Sequence, residues 1–182
     1  VLGRMGLPFD CDYMNWLQVN MEGERVIVCR TGYTGEAGFE LVAPVGGLQH
    51  LWDHSIAAAA QVGGIPAGLG ARDILRTEMG YPLHGQDISP SISPLEAKIS
   101  WAVGWDKPHF DGRETLQATR VQGAVRKRVA LRAMGRGIPR AHMDVYSDLE
   151  LHHKIGEITS GTFSPTLKEG IAMALVDVEH EK

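Results

Sequence analysis

The stretch Arg30–Glu40, RTGYTGEAGFE, decides how the rest of the chain is read. The apolar run EGERVIVC (22–29) precedes it and FELVAP (39–44) closes it, so two strands are expected with a glycine- and threonine-rich loop between them. Gly32, Gly35 and Gly38 fall at every third position. Glycine lets a backbone adopt positive φ or pass close to another surface. Arg30, Thr31, Tyr33, Thr34, Glu36 and Glu40 supply polar groups around them. Glu40 stands out because Phe39 and Leu41 flank it. Strand side chains alternate between faces, so with Phe39 and Leu41 turned to the core, Glu40 and Val42 point the other way. A carboxylate there is either solvated or aimed into a cleft, and a buried one has to be paired, since an isolated buried charge is very costly.

Working outward, 182 residues suffice for one large domain or two small ones, and an apolar fraction of 43% can fill a core. The formal charge of −4, with no basic block, argues against a general nucleic-acid surface but leaves room for a local basic pocket. No apolar stretch approaches a membrane span, and no basic-then-apolar leader opens the chain. The first residue is Val1, which reads as a processed, engineered or incomplete chain. Cys11 and Cys29 form no CxxC pair, which fits a reduced, intracellular protein.

Residues 1–22 show no clean period and are expected to be irregular. Strands are expected near 24–30 and 38–43, the second ended by Pro44. Between Gly47 and Gln61, Leu48, Leu51, Trp52, Ile56 and Ala59 mark one face of an amphipathic helix. His50 and His54 lie four apart on it and could share a metal, but no third ligand has convincing spacing, so no metal site is assigned. A short helix, Ala71–Met79, follows, with Gly80 as its stop and Pro82 beyond. Neither GxGxxG nor GK[ST] occurs there, so it is not a phosphate loop. Arg72 and Arg76 share a helix face, either as surface charge or as a guanidinium fork for a carboxylate.

A strand is expected at about 100–105 and a helix over Asp111–Thr119. The basic join RVQGAVRKR suggests a domain boundary near 119–126. Beyond Arg128, VALRAM, MDVYS, LELHHKIGEITS, GTFSP and IAMALVDVE are short runs between turn residues, the pattern of a small barrel or sandwich. His152 and His153 are adjacent, so in a strand they face opposite ways and do not chelate one ion. Linear order supports no Ser-His-Asp or Cys-His triad.

With these segments laid out, the chain resembles the glycine cleavage T-protein family, the tetrahydrofolate-dependent aminomethyltransferases. The matching strings are RTGYTGEAGFE, GLGARDILRTEMGYPLHGQDI, SPLEA, RGIPR and GEITSGTFSPTLKEGIAMALV. They are long, ordered and correctly spaced, and they cover nearly everything after about residue 24. The resemblance implies an α+β fold: a partial folate-binding aminomethyltransferase domain over residues 1–120, then a C-terminal β-barrel domain over 121–182. It implies tetrahydrofolate as cofactor, with Glu40 holding the pterin and Arg72, Tyr33 and Tyr81 lining the site. Glu36 is expected to brace the loop. Two positions depart from the family pattern: Lys98 follows SPLEA where a small residue is common, and Ala37 stands where aspartate is common.

The implied reaction moves an aminomethyl carbon from the lipoyl arm of the H-protein to tetrahydrofolate, releasing ammonia. The family's assisting aspartate belongs to its N-terminal half, so no catalytic residue is expected within these residues. The barrel's end is expected to be cut. The chain is expected to be a fragment, inactive alone, and prone to homodimerise through unmatched apolar surface. Lipoylated H-protein is the implied partner, with no nucleic acid and no membrane. The location is cytoplasmic in a bacterium or the mitochondrial matrix in a eukaryote. Rival readings are a folate-dependent demethylase, the folate domain of a dimethylglycine- or sarcosine-oxidising enzyme, and a non-catalytic folate-binding protein.

Overall fold

The structure, a computed structural model, describes residues 1–180; Glu181 and Lys182, the end of the DVEHEK tail, lie outside them. The chain divides into two compact units, Val1–Leu75 and the residues from Arg76 on. Among the described residues no helix is long and apolar enough to cross a membrane. The cysteines Cys11 and Cys29 are free.

In the first unit, β1 (Trp16–Met21), β2 (Glu24–Cys29) and β3 (Glu40–Val42) form an antiparallel sheet in the order β1-β2-β3. β1 falls in the segment expected to be irregular. Its signal is short: Leu17, Val19 and Met21 alternate inward against outward Gln18 and Asn20. Glu22 and Gly23 then turn the chain at φ 52° and 92°, the signature of a two-residue type I′ hairpin loop. Asn20 Oδ1 accepts the Gly23 amide at 2.8 Å.

Helix α1 (Leu48–Ala60) follows. Its buried line runs through Leu51 and Ala58, while Leu48 and Trp52 are exposed, so the inward face is rotated from the one expected. Leu51 joins Leu2, Leu7, Met21, Val26 and Val28 in the core, with Phe39 and Leu41 packed on it. Helix α2 (Leu69–Glu78) carries the junction between the units.

In the second unit, Gly80 adopts φ 69° just past α2, and the Tyr81 amide donates back to the Arg76 carbonyl at 2.8 Å. That is how glycine ends helices. The strand expected at 100–105 does not form. Ser100–Ala102 is a 3₁₀ turn instead, and Trp105 Nε1 donates to the Ser100 carbonyl at 2.9 Å, folding the segment onto itself. Helix α3 covers Arg113–Gln122. Then β4 (Arg126–Arg132), β5 (Asp144–Tyr146), β6 (Lys154–Ser164) and β7 (Glu169–Asp177) form an antiparallel sheet ordered β4-β7-β6-β5. Residues Ile171–Val176 of the central strand β7 are all buried. GEITS and GTFS, expected as separate runs, are one strand, and Gly161 lies inside it.

A polar network is buried here. Arg76 Nη1 donates to Asp87 Oδ2 at 2.8 Å and to Ser160 Oγ at 2.9 Å. Asp87 also accepts from the Leu83 amide and Ser160 Oγ, each at 2.8 Å, and from Thr159 Oγ1 at 2.5 Å. A register shift between Ile158 and Ser160 lets the neighbouring Thr159 and Ser160 both reach it.

The SPLEA string forms a single turn with reciprocal capping. The Ser93 amide donates to Glu96 Oε2 at 2.8 Å and Ser93 Oγ accepts the Glu96 amide at 3.3 Å. Lys98 after it has φ 55°, the region that favours glycine. Arg126 donates from Nε and Nη2 to Glu96 Oε1 at 3.0 and 2.9 Å, which ties the turn to β4. Burial alone raises the Glu96 carboxyl, but the Ser93 amide and hydroxyl and the Arg126 guanidinium outweigh it and hold it below its ordinary value. A lowered folded pKa contributes stability that is complete above the unfolded value, near pH 4.5, and lost as pH falls through the folded value. Thermal midpoints of the chain and of Glu96→Gln should therefore differ at neutral pH and converge as the pH falls below 4.5 and through the lowered Glu96 value.

Candidate functional site

β2 ends at Cys29 and β3 starts at Glu40, and these two residues pair across the hairpin. The segment between them is the glycine-rich loop. Of its three glycines only Gly35 takes a positive φ, 78°. A Cβ at Gly32 would meet nothing within 4 Å, so neither strain nor crowding requires glycine there. Arg30 closes the loop: its Nη1 donates to the Gly38 carbonyl at 2.8 Å and its guanidinium lies 4.6 Å over the Phe39 ring. Thr34 Oγ1 accepts the Glu36 amide at 3.4 Å, while the Glu36 side chain belongs to an exposed residue.

The strand alternation expected around Glu40 holds. Phe39 and Leu41 pack on the core, and Glu40 and Val42 are exposed on the opposite face. Thr31 Oγ1 donates to Glu40 Oε2 at 2.5 Å and orients the carboxylate. Sequence reading counted Thr31 among the polar groups without giving it this part. The signal lay in spacing, because Thr31 stands two residues past the cross-strand partner of Glu40 and so shares its face. A carboxylate held this way presents acceptors to a donor pair arriving from outside.

Tyr33 stands on the same loop, half-buried, and the Arg72 guanidinium lies 4.7 Å over its ring. This cation–π pair joins α2 to the loop inside the first unit. Arg76, four residues on, goes instead to the buried network with Asp87. The carboxylate expected for a guanidinium fork is thus the chain's own in one of the two cases. Tyr81 belongs to the second unit, where it follows the Gly80 helix stop and its carbonyl accepts from Arg76 Nη1 at 3.4 Å.

A cavity of about 890 Å³ is a different place. Leu2, Met5, Phe9, Phe39 and Leu41 line it, so it opens on the apolar face of the hairpin, opposite the Glu40 carboxylate.

Comparison with known proteins gives a consistent picture. Residues 8–107 match the family described as GCVT N-terminal domain, and residues 126–182 match the glycine cleavage T-protein C-terminal barrel domain. An aminomethyltransferase of Parafrankia sp. (strain EAN1pec) is 55% identical over 177 residues, which is 97% of this chain and 48% of the relative. One from Mycobacterium avium (strain 104) is 51% identical over 179 residues, 98% of this chain and 48% of the relative. Among solved structures, the glycine cleavage system aminomethyltransferase T from Bartonella henselae superposes with a TM-score of 0.87 at 34% identity, over 98% of this chain and 48% of that one. The chain spans about half the length of the curated relatives it matches.

Proposed function

The chain belongs to the glycine cleavage T-protein family, and from that premise we propose that it carries the tetrahydrofolate-facing part of an aminomethyltransferase. The activity is transfer of the aminomethyl carbon from the lipoyl arm of H-protein to tetrahydrofolate, with release of ammonia. The observation that carries this reading is the exposed Glu40 carboxylate, turned away from the core and held by Thr31. A pterin offers a ring N–H beside an exocyclic amino group, and a carboxylate accepts both through parallel charge-assisted bonds. The donor set therefore fits the cofactor.

Tyr33, backed by Arg72, offers a ring face to a flat heterocycle, and the Arg72 guanidinium offers a fork to a carboxylate. Tyr81 is proposed as a further wall. When bound, tetrahydrofolate supplies the nitrogen that takes up the carbon. The residues of this chain bind and orient, which is where much of the rate enhancement in such reactions lies. No catalytic residue is assigned within residues 1–182. The boundary between the folate-binding part and the barrel is proposed at residues 120–121, a reading supported by family matches that end at 107 and resume at 126. The proposed location is the cytoplasm of a bacterium, since the relatives compared are bacterial.

The test is a calorimetric titration of the chain with 5-formyltetrahydrofolate. Saturable binding is expected, and Glu40→Gln should weaken it roughly 10- to 100-fold, because a hydrogen bond to a charged group is worth about 1.5–3 kcal/mol and a glutamine keeps only one acceptor oxygen. Unchanged affinity in Glu40→Gln would remove Glu40 from the site. A folded chain that binds no folate would overturn the proposal that this half holds the pterin.

A further inference from the structure

We propose that Glu22, His50 and His54 form a binding site for a divalent transition metal ion, with Zn²⁺ as its natural occupant. The site lies wholly within the first unit and does not depend on the folate reading. The spacing of His50 and His54 puts both imidazoles on one side of α1. What the linear sequence lacked was a third ligand, and the β1–β2 turn supplies it. His50 Nε2 lies 2.9 Å from Glu22 Oε2, His54 Nε2 lies 3.9 Å from Glu22 Oε1, and one ligand atom from each residue falls within 4.8 Å of the others. Two ligands on a tetrahedral Zn²⁺ with bonds of about 2.1 Å stand roughly 3.4 Å apart. The two observed separations straddle that value.

The protonation pattern also suits a metal. His54 Nδ1 lies 3.0 Å from the His50 carbonyl, which can only accept, so Nδ1 carries the hydrogen. In the neutral ring Nε2 then holds a lone pair that faces a carboxylate oxygen. A cation between them satisfies both. An imidazole whose second nitrogen donates to a backbone carbonyl is the usual form of a metal-ligating histidine. His50 donates Nε2–H to Glu22 in the metal-free state, and its neutral ring switches to the Nδ1–H tautomer when the ion binds, freeing the Nε2 lone pair. The His50, His54 and Glu22 side chains are 42%, 40% and 63% exposed, which leaves room for water at the remaining coordination positions.

The turn itself is informative. Glu22 occupies a left-handed position, φ 52°, where a type I′ turn favours asparagine, aspartate or glycine. Glutamate is a poor turn residue there, but its longer side chain reaches both imidazoles. Two imidazoles with one carboxylate suit Zn²⁺ and its transition-metal neighbours, whereas Mg²⁺ and Ca²⁺ prefer oxygen ligands.

The experiment is calorimetry of the metal-free chain with Zn²⁺, beside thermal midpoints with and without the ion. One Zn²⁺ per chain is expected, together with a rise in the midpoint. His50→Gln and His54→Gln should each weaken binding roughly tenfold or more, since losing an outer-shell partner alone costs that much, and the double variant should lose both the binding and the midpoint shift. A His152→Gln/His153→Gln variant should bind as the unchanged chain does. Circular dichroism without metal confirms that each variant is folded. No saturable Zn²⁺ binding by the unchanged chain, or undiminished binding by the folded double variant, would overturn the site and leave an ordinary imidazole–carboxylate pair.

Discussion

Arg76→Met is expected to lower the stability of the second unit by about 3–5 kcal/mol, the cost of breaking a buried ion pair from one side. Arg76 is 1% exposed and its partner Asp87 likewise 1%. Removing the guanidinium leaves a buried carboxylate facing three neutral donors: the Leu83 amide, Ser160 Oγ and Thr159 Oγ1. Those hydrogen bonds soften the loss but do not neutralise the charge. Ser160 Oγ also loses its donor from Arg76. Arg76→Lys restores a charge without the planar fork, so it should fall between the two. Urea unfolding followed by circular dichroism measures all three chains. A methionine variant within about 0.5 kcal/mol of the unchanged chain, the range of ordinary surface substitutions, would show that the pair contributes little.

The second large effect is steric. Gly161→Ala and Gly170→Ala should each cost about 1–3 kcal/mol, the range for forcing extra atoms into a packed site. A Cβ at Gly161 would stand 2.6 Å from the Pro139 carbonyl oxygen, and one at Gly170 would collide with the Gly137 carbonyl oxygen. Both obstacles are backbone, so no side chain can swing aside. The loop RGIPR packs its main chain directly on β6 and β7 at these two glycines. Gly135→Ala is the control. Its Cβ would meet nothing within 4 Å, so it should be neutral or stabilising by a few tenths of a kcal/mol. If the same denaturation series shows all three variants alike, close approach is not what fixes glycine at 161 and 170.

These glycines also show where sequence reading stopped. Gly161 looked like a break between two short runs, because a glycine in isolation signals a turn as readily as a close contact. Only the loop lying across it tells the two apart. The pairing of Arg76 with Asp87 and Ser160 was equally hidden, since it joins residues far apart in the chain. β1 was missed for a different reason: its alternation lasts only from Leu17 to Met21 and ends in a Glu-Gly turn. A strand was expected at about 100–105, but Ser100–Ala102 is a 3₁₀ turn and the segment folds back on itself. What was legible was local. The outward placement of Glu40 follows from its two apolar neighbours, the end of α2 from Gly80, and the helix over 48–60 from its apolar spacing. Thr31 beside Glu40 was within reach of the same period-two argument.

The order β4-β7-β6-β5 has a bearing on how the chain is made. Synthesis proceeds from the amino end, so β7, last of the described strands to emerge, is the one that must slot between β4 and β6. Until then β6 can pair with β5 as a hairpin, but the edge of β4 that β7 will occupy waits bare. At roughly 5–20 residues per second that wait lasts seconds. A ribosome that stalls before Glu169 would hold out two open sheet edges at once, the template on which nascent chains pair with one another.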